Sequence, residues 1–247
     1  MRLLIIPAAG LGSRLGAARP KPLVDVNGRP MLDHLADLYE PFVDETVVVT
    51  NPASAADIAD WGRAAAGRVS VTEQPSPTGM LDAVLLAAPF VDRLRPDDVW
   101  ITWSDQVGVL PPTVERLAEA MAAVPRPALA LPTVARPHPY IHFERDAAGR
   151  ISRLRQRREG DAMPDEGESD MGLFAMTRET FEHDLQAYAR QVNAGSATGE
   201  RNFVPFVPWL AQRKTVVTFP CTDPMEAVGI NTPDELRQVE AWLRSRA

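Results

Sequence analysis

Between Leu3 and Pro132, five apolar or β-branched runs alternate with four stretches of helical periodicity. That rhythm restricts the chain to few folds. The runs are "LLIIP" (Leu3–Pro7), "TVVVT" (Thr46–Thr50), Val69–Thr72, "VWITW" (Val99–Trp103) and Ala128–Pro132. Spacing of apolar residues predicts helices over Pro30–Tyr39, Ser54–Ala66, Thr78–Ala88 and Pro112–Val124. Strands alternating with helices build βαβ units, whose strands are parallel. Strands apolar at every position are covered on both faces. The expected core is therefore a three-layer α/β structure with a mostly parallel sheet.

From about Arg136 the rhythm changes. Tyr140–Arg145 and Arg150–Arg155, split by "AAGR", read as a hairpin. Arg158–Asp170 ("REGDAMPDEGESD") is acidic and turn-rich and reads as a mobile loop. Gly172–Met176 and Thr215–Phe219 read as strands, and Arg178–Val192 and Val204–Gln212 as helices. Near the end, Thr232 and Glu235 suit a capping box, with Pro233 at the first helical position. With 247 residues, 45% apolar content and no long polar linker, the sequence predicts a single domain over 1–247. A net charge of −7 argues against a nucleic-acid or membrane-surface binder. Cys221 is alone, which excludes an internal disulfide. No apolar run is long enough to span a bilayer, and a cytoplasmic location is the default expectation.

The first strand runs into "AAGLGSRLGAARPK", and the question is which anion this loop suits. A P-loop needs a lysine directly after its last glycine, and none is there. A dinucleotide fingerprint needs a third glycine where Leu15 stands, and an acid after the second strand, which ends in Thr50-Asn51. A third arrangement fits better. Gly10 and Gly12 let backbone N–H groups approach a phosphate chain, and Arg14 and Lys21 neutralise it. Of 26 basic residues only Lys21 and Lys214 are lysines, so a lysine here marks a need for a compact point charge.

"IIPAAGLGSRLGAARPKPLVDVNGRPML" resembles the signature of the nucleotidyltransferases that make nucleotide-sugars and related compounds, the NDP-sugar pyrophosphorylase-like and MobA-like group. "EQPSPTGMLDAVLLA", "WSDQVG" and "GINTPDEL" continue the likeness in order and spacing. The resemblance implies a Rossmann-like αβα domain of the nucleotide-diphospho-sugar transferase type. It implies an NTP-binding half (1–135) and an acceptor-binding half (136–247). It implies transfer of NMP from an NTP to a phosphorylated acceptor, with Mg²⁺ as cofactor and pyrophosphate released.

The resemblance assigns Ala8, Ala9, Gly10, Gly12, Ser13, Gln74, Thr78 and Gly79 to the nucleotide, and Arg14, Lys21 and Asp105 to catalysis. Asp105 follows a buried strand, where open α/β sheets bind ligands, and a hard oxygen there suits Mg²⁺. Asn231, just outside the last helix, is the second candidate metal ligand. A Gln offers donors and an acceptor, so Gln74 alone does not name the base. On the acceptor side the chain departs from the pattern. Many sugar-nucleotide enzymes have a glutamate and an Asn-Thr-Gly or Asn-Ala-Gly where this chain has Gln156 and Asp170 before Gly172. A sugar 1-phosphate is the first expectation for the acceptor. A non-sugar phosphate, phosphonate or cofactor precursor taking a cytidylyl or guanylyl group is the alternative, and a non-catalytic nucleotide sensor is the reading of another class.

Overall fold

The computed structural model describes all residues except 11, 17, 18, 66, 67 and 247, together with the side chain of Ser13 excluded. Its main sheet contains β1 (Arg2–Ala8), β4 (Glu45–Thr50), β5 (Val69–Glu73), β6 (Asp98–Thr102), β7 (Leu129–Pro137), β10 (Glu166–Asp170), β11 (Leu173–Thr177) and β12 (Val216–Pro220). Two small antiparallel pairs lie outside it: β2 (Asp25–Val26) with β3 (Arg29–Pro30), and β8 (Ile141–Arg145) with β9 (Ile151–Gln156). The sheet order is β12-β7-β11-β6-β1-β4-β5, with β10 continuing beside the far end of β7. β1, β4, β5 and β6 are parallel, as are β7 and β12; β10 and β11 run the other way. The predicted α/β class with a mostly parallel sheet is what forms.

Period-two alternation sends each central strand into two cores. Leu4, Ile6, Val48 and Trp100 face α1 (Met31–Tyr39), α5 (Pro111–Ala122) and α8 (Pro233–Arg244). Leu3, Ile5, Val47, Val49, Val99 and Ile101 face α3 (Met80–Leu85), α4 (Ala88–Leu94) and α7 (Phe206–Ala211). α2 (Ala55–Ala64) adds Ile58 to the first core, and the segment before α6 (Gln186–Ala189) adds Phe181 and Leu185 to the second.

The expected mobile loop over Arg158–Asp170 is corrected in its last third. Glu166–Asp170 pairs antiparallel with Thr133–Pro137. β7 extends five residues beyond the predicted Pro132, and its open edge presents backbone groups that need partners. That demand outweighs the polar composition of "EGESD". The helix predicted from Thr78 starts at Met80, because Gly79 holds a positive φ of 120°. The helix predicted over Arg178–Val192 opens as a π-helical segment, Thr180–Leu185, before α6. The β2–β3 pair went unpredicted although "NG" is a strong turn signal. Asn27 and Gly28 adopt φ of 50° and 81°.

This architecture gathers the loops at one edge. Ala8 pairs with Thr50 and Thr50 with Glu73, so the carboxyl ends of three strands are level. Leu173 pairs with Thr102, which brings Gly172 to the end of β6 from the opposite direction.

Candidate active site

The first loop is built around Lys21. Gly12 has φ of 62°, and a Cβ there would lie 2.7 Å from Lys21 Cβ. Gly12 is thus required for the lysine stem to pack under the loop, as well as for its left-handed turn. The stem leads the ammonium inward, where Lys21 Nζ donates to Asp105 Oδ2 at 2.6 Å and to Asn231 Oδ1 at 2.9 Å. Both charged side chains are largely covered, at 13% and 15% exposure. Arg14 Nη2 donates to the same Asn231 oxygen at 3.1 Å. Residues far apart in sequence, Arg14, Lys21, Asp105 and Asn231, therefore meet in one cluster. Lys21 and Arg14 bring two cations to the Asp105 and Asn231 oxygens, with the Glu235 carboxylate behind Asn231.

Asn231 is held in a definite orientation. Its Nδ2 donates to the Gly229 carbonyl at 3.1 Å, which leaves Oδ1 to the cations. Its backbone N–H donates to Glu235 Oε2 at 2.8 Å. The predicted capping box is thereby altered: the Thr232 hydroxyl accepts from Glu235 N, but the Glu235 carboxylate secures Asn231. Ile230 N donates to the Asp105 carbonyl at 3.1 Å, joining the two loops directly.

Several residues that the resemblance assigns to the nucleotide line a cavity of about 120 Å³: Ala9, Gly10, Gln74 and Gly79, with Met80 and Glu200 among others. Gln74 is buried, and its Nε2 donates to the Thr78 hydroxyl at 3.3 Å and the Gly79 carbonyl at 3.1 Å. Gln74, Thr78 and Gly79 thus form one hydrogen-bonded unit. Gly10 has no atom within 4 Å of a Cβ position and stays open, while Ala8 and Ala9 are buried. The Ser13 side chain, assigned to the nucleotide, lies outside the described residues.

Gly79 has no tolerance for a side chain. A Cβ would lie 2.5 Å from both N and O of the Arg201 backbone. Gly79→Ala is expected to destabilise the fold by about 2–4 kcal/mol, combining a strained φ with a backbone clash. Urea unfolding checks this; a loss under about 0.5 kcal/mol would mean the contact gives way freely.

Asp105 and Asn231 line a second cavity, of about 230 Å³, with Trp103, Gln106, Arg136 and Asp170 among others. Asp170 accepts from the Gly172 N–H at 2.9 Å. Gly172 has φ of 73°, and a Cβ there would strike Trp103 Cδ1 at 2.2 Å. Gln156 is not among the residues lining this cavity; it pairs with Ile141 in the hairpin, and its N–H donates to Asp161. Arg136 and Gln106 were missed in the sequence. Arg136 fell outside the truncated strand prediction, and Gln106 was overshadowed by Asp105. Gln106 Oε1 is buried without a partner among the described residues.

Burial pushes the Asp170 carboxyl from its ordinary 3.8 up to about 6, against the opposing pull of the Gly172 N–H and Arg136. The folded chain therefore binds this proton more tightly than the unfolded chain. The stabilisation is full below about pH 4 and is lost as pH rises through 6. Asp170→Asn is expected to gain about 1–3 kcal/mol relative to the parent between pH 4 and pH 7.5. Denaturant titrations at the two pH values measure it, and a constant difference would show an unperturbed carboxylate.

A mostly parallel sheet with a glycine loop after its first strand, a lysine, and an acid at the end of a central strand fits a nucleotidyltransferase. The chain belongs to the MobA-like NTP transferase family, whose domain pattern matches residues 4–169. It is 29% identical over 253 residues to the bifunctional protein GlmU of Cereibacter sphaeroides, covering 99% of this chain and 52% of that protein. It is 26% identical to the GlmU of Nitrosococcus oceani, covering 98% and 52%. The chain thus spans about half the length of the curated relatives it matches. Its fold is similar to that of a Bacillus anthracis protein assigned as a glucose-1-phosphate thymidylyltransferase, with a TM-score of 0.75 at 17% identity, covering 99% and 96% of the two chains. Among the described residues, no helix is long and apolar enough to cross a membrane.

Proposed function

We propose that the chain transfers a nucleotidyl group from an NTP to a phosphorylated small-molecule acceptor, a sugar 1-phosphate first, giving the NDP-linked product and pyrophosphate. The observation that carries this reading is the Arg14–Lys21–Asp105–Asn231 cluster, whose Asp105 and Asn231 line the larger cavity. The smaller cavity would take the nucleobase and the larger one the acceptor. The GlmU relatives and the thymidylyltransferase-like fold support it.

Mg²⁺ fits the donor set. Asp105 Oδ2 and Asn231 Oδ1 already converge on one cation, the Lys21 ammonium. Mg²⁺ takes one or two protein oxygens and keeps its remaining sites for water and phosphate. Among the described residues no group of three or more His, Cys, Asp or Glu side chains gathers, so the two oxygens are the protein's offer. When bound, the ion would neutralise charge on the α-phosphate.

The reaction is an in-line displacement. An oxygen of the acceptor phosphate bonds to the α-phosphorus, the bond to the bridging oxygen of the β-phosphate breaks, and pyrophosphate leaves with that electron pair. A phosphate monoester with a second pKa near 6 is mostly ionised at pH 7, so no general base is required. Bringing two anions together is the difficulty, and positioning with charge neutralisation overcomes it. Arg14 and the Gly10–Gly12 amides would hold the β- and γ-phosphates, and Lys21 the α-phosphate. A matrix of four NTPs plus dTTP against sugar 1-phosphates, alcohol phosphates and phosphonates, read as pyrophosphate, tests the reading. Nucleotide binding without pyrophosphate release for every pair would leave a sensor instead.

A further inference from the structure

The turn that carries Gly79 is held by a distant segment of the chain. Arg201 donates its backbone N–H to the Thr78 carbonyl at 2.8 Å and accepts from the Leu81 N–H at 2.9 Å, so its peptide groups bracket Gly79. The bare glycine is what lets them approach, since a Cβ there would meet the Arg201 backbone at 2.5 Å. Gln74 is buried and donates to the Thr78 hydroxyl and the Gly79 carbonyl. Its amide therefore takes its orientation from a turn whose own position depends on Arg201.

The segment around Arg201 is secured in turn by Glu159. This residue ends the single turn Arg157–Glu159 that follows β9. Its carboxylate accepts from the Ala197 N–H at 3.0 Å, the Thr198 hydroxyl at 2.5 Å and the Asn202 amide at 3.3 Å, donors that lie on both sides of Arg201 in sequence. Hydrogen bonds to an ionised acceptor are stronger than neutral ones, and these bonds, the Thr198 hydroxyl first, hold the carboxyl below the usual carboxylate range. A Cβ on Gly195 would strike the same carboxylate, so the chain passes directly against it. The loop is also closed on itself. The Gly195 N–H donates to the Glu200 carbonyl at 2.9 Å, and the Gly199 N–H to the Gly195 carbonyl at 2.8 Å.

We infer that Glu159 is a positioning residue for the nucleotide. Through the Ala197–Asn202 segment and the Arg201 backbone it holds the Thr78–Leu81 turn, and with it Gln74, in the geometry that receives the NTP. The inference rests on the nucleotidyltransferase reading above, which puts the NTP at this turn. A turn ordered before binding spares the nucleotide the cost of ordering it. The effect of Glu159 therefore belongs in nucleotide affinity and not in the chemical step. Glu159, Ala197, Thr198 and Asn202 all lie outside the buried core. The Arg201 guanidinium has anchors of its own, the Asp82 carboxylate and the Ala189 carbonyl. Loss of Glu159 should thus loosen the segment without unfolding the chain.

Glu159→Ala and Glu159→Gln test this, the second keeping the size of the side chain. Hydrogen exchange of the full chain without ligand reads the tether. The Leu81 and Arg201 amides should exchange at least about tenfold faster in both variants, while those of β1 and β4 stay as in the parent. Calorimetric titration with ATP, CTP, GTP, UTP and dTTP, in Mg²⁺ and without acceptor, reads the consequence. The nucleotide that the parent binds most tightly should bind about tenfold more weakly to both variants. With the most active pair from the matrix above, KM for the nucleotide should rise by that factor, while kcat and KM for the acceptor stay within about twofold. A general folding defect would move all three together. Unchanged nucleotide affinity in both variants, or a fall in kcat at unchanged nucleotide KM, overturns the inference and leaves the transferase reading standing. Weaker nucleotide binding in the variants, with no pyrophosphate from the parent for any acceptor, supports the positioning role and overturns the transferase reading.

Discussion

Lys21→Ala is expected to lower pyrophosphate release at saturating substrates by at least about a hundredfold, the scale of one lost donor at a developing charge. The ammonium is the innermost cation of the cluster and touches both Asp105 and Asn231. Those oxygens are the pair that would hold Mg²⁺, and the Lys21 ammonium would compete with the ion for them. The substitution removes that competition as well. The metal concentration for half-maximal activity is therefore expected to fall even as turnover collapses. Lys21→Arg should not restore the rate, because a planar guanidinium does not reproduce the compact point charge held by Asp105 Oδ2 and Asn231 Oδ1. Near-parental turnover in Lys21→Ala would remove the lysine from the mechanism.

Asp105→Ala is expected to cost at least about a hundredfold as well, by a different route. Asp105 is the carboxylate that Lys21 touches, and without it Lys21 and Arg14 converge on the neutral Asn231 oxygen alone. The metal requirement should move to higher Mg²⁺, opposite in direction to the lysine variant. Steady-state rates across a Mg²⁺ series for both variants give this comparison. Equal shifts in the same direction would contradict the shared-oxygen arrangement.

Much of this was legible in the sequence because the central strands obey a local rule. An apolar run bounded by turn residues becomes a covered parallel strand wherever it sits, and β1, β4 and β6 did so within a residue or two. Asp105 was readable for the same reason, as the residue just beyond such a run. The signals that failed depend on partners. Glu166–Asp170 is polar and becomes a strand because β7 offers an edge. Arg136 enters the second cavity because that same β7 continues past Pro132. Gln74 was legible as a residue but not in its orientation, which the Gly79 carbonyl decides. Glu200 carried no local sign, since its place depends on backbone bonds between Arg201 and the stretch Thr78–Leu81.

The Asn231 contacts carry a consequence for how the molecule comes to work. Arg14 and Asn231 are separated by 217 positions, and Lys21 and Asn231 by 210. Bringing such distant residues together carries the loop-closure cost of the long chain between them. A growing polypeptide acquires its glycine loop early, yet the cation cluster closes only when the segment around Asn231 docks beside Asp105. Maturation of the centre is therefore a late folding event. A protein shortened before Gly229 would keep most of the sheet and both glycines of the first loop, while losing the oxygen that Arg14 and Lys21 share.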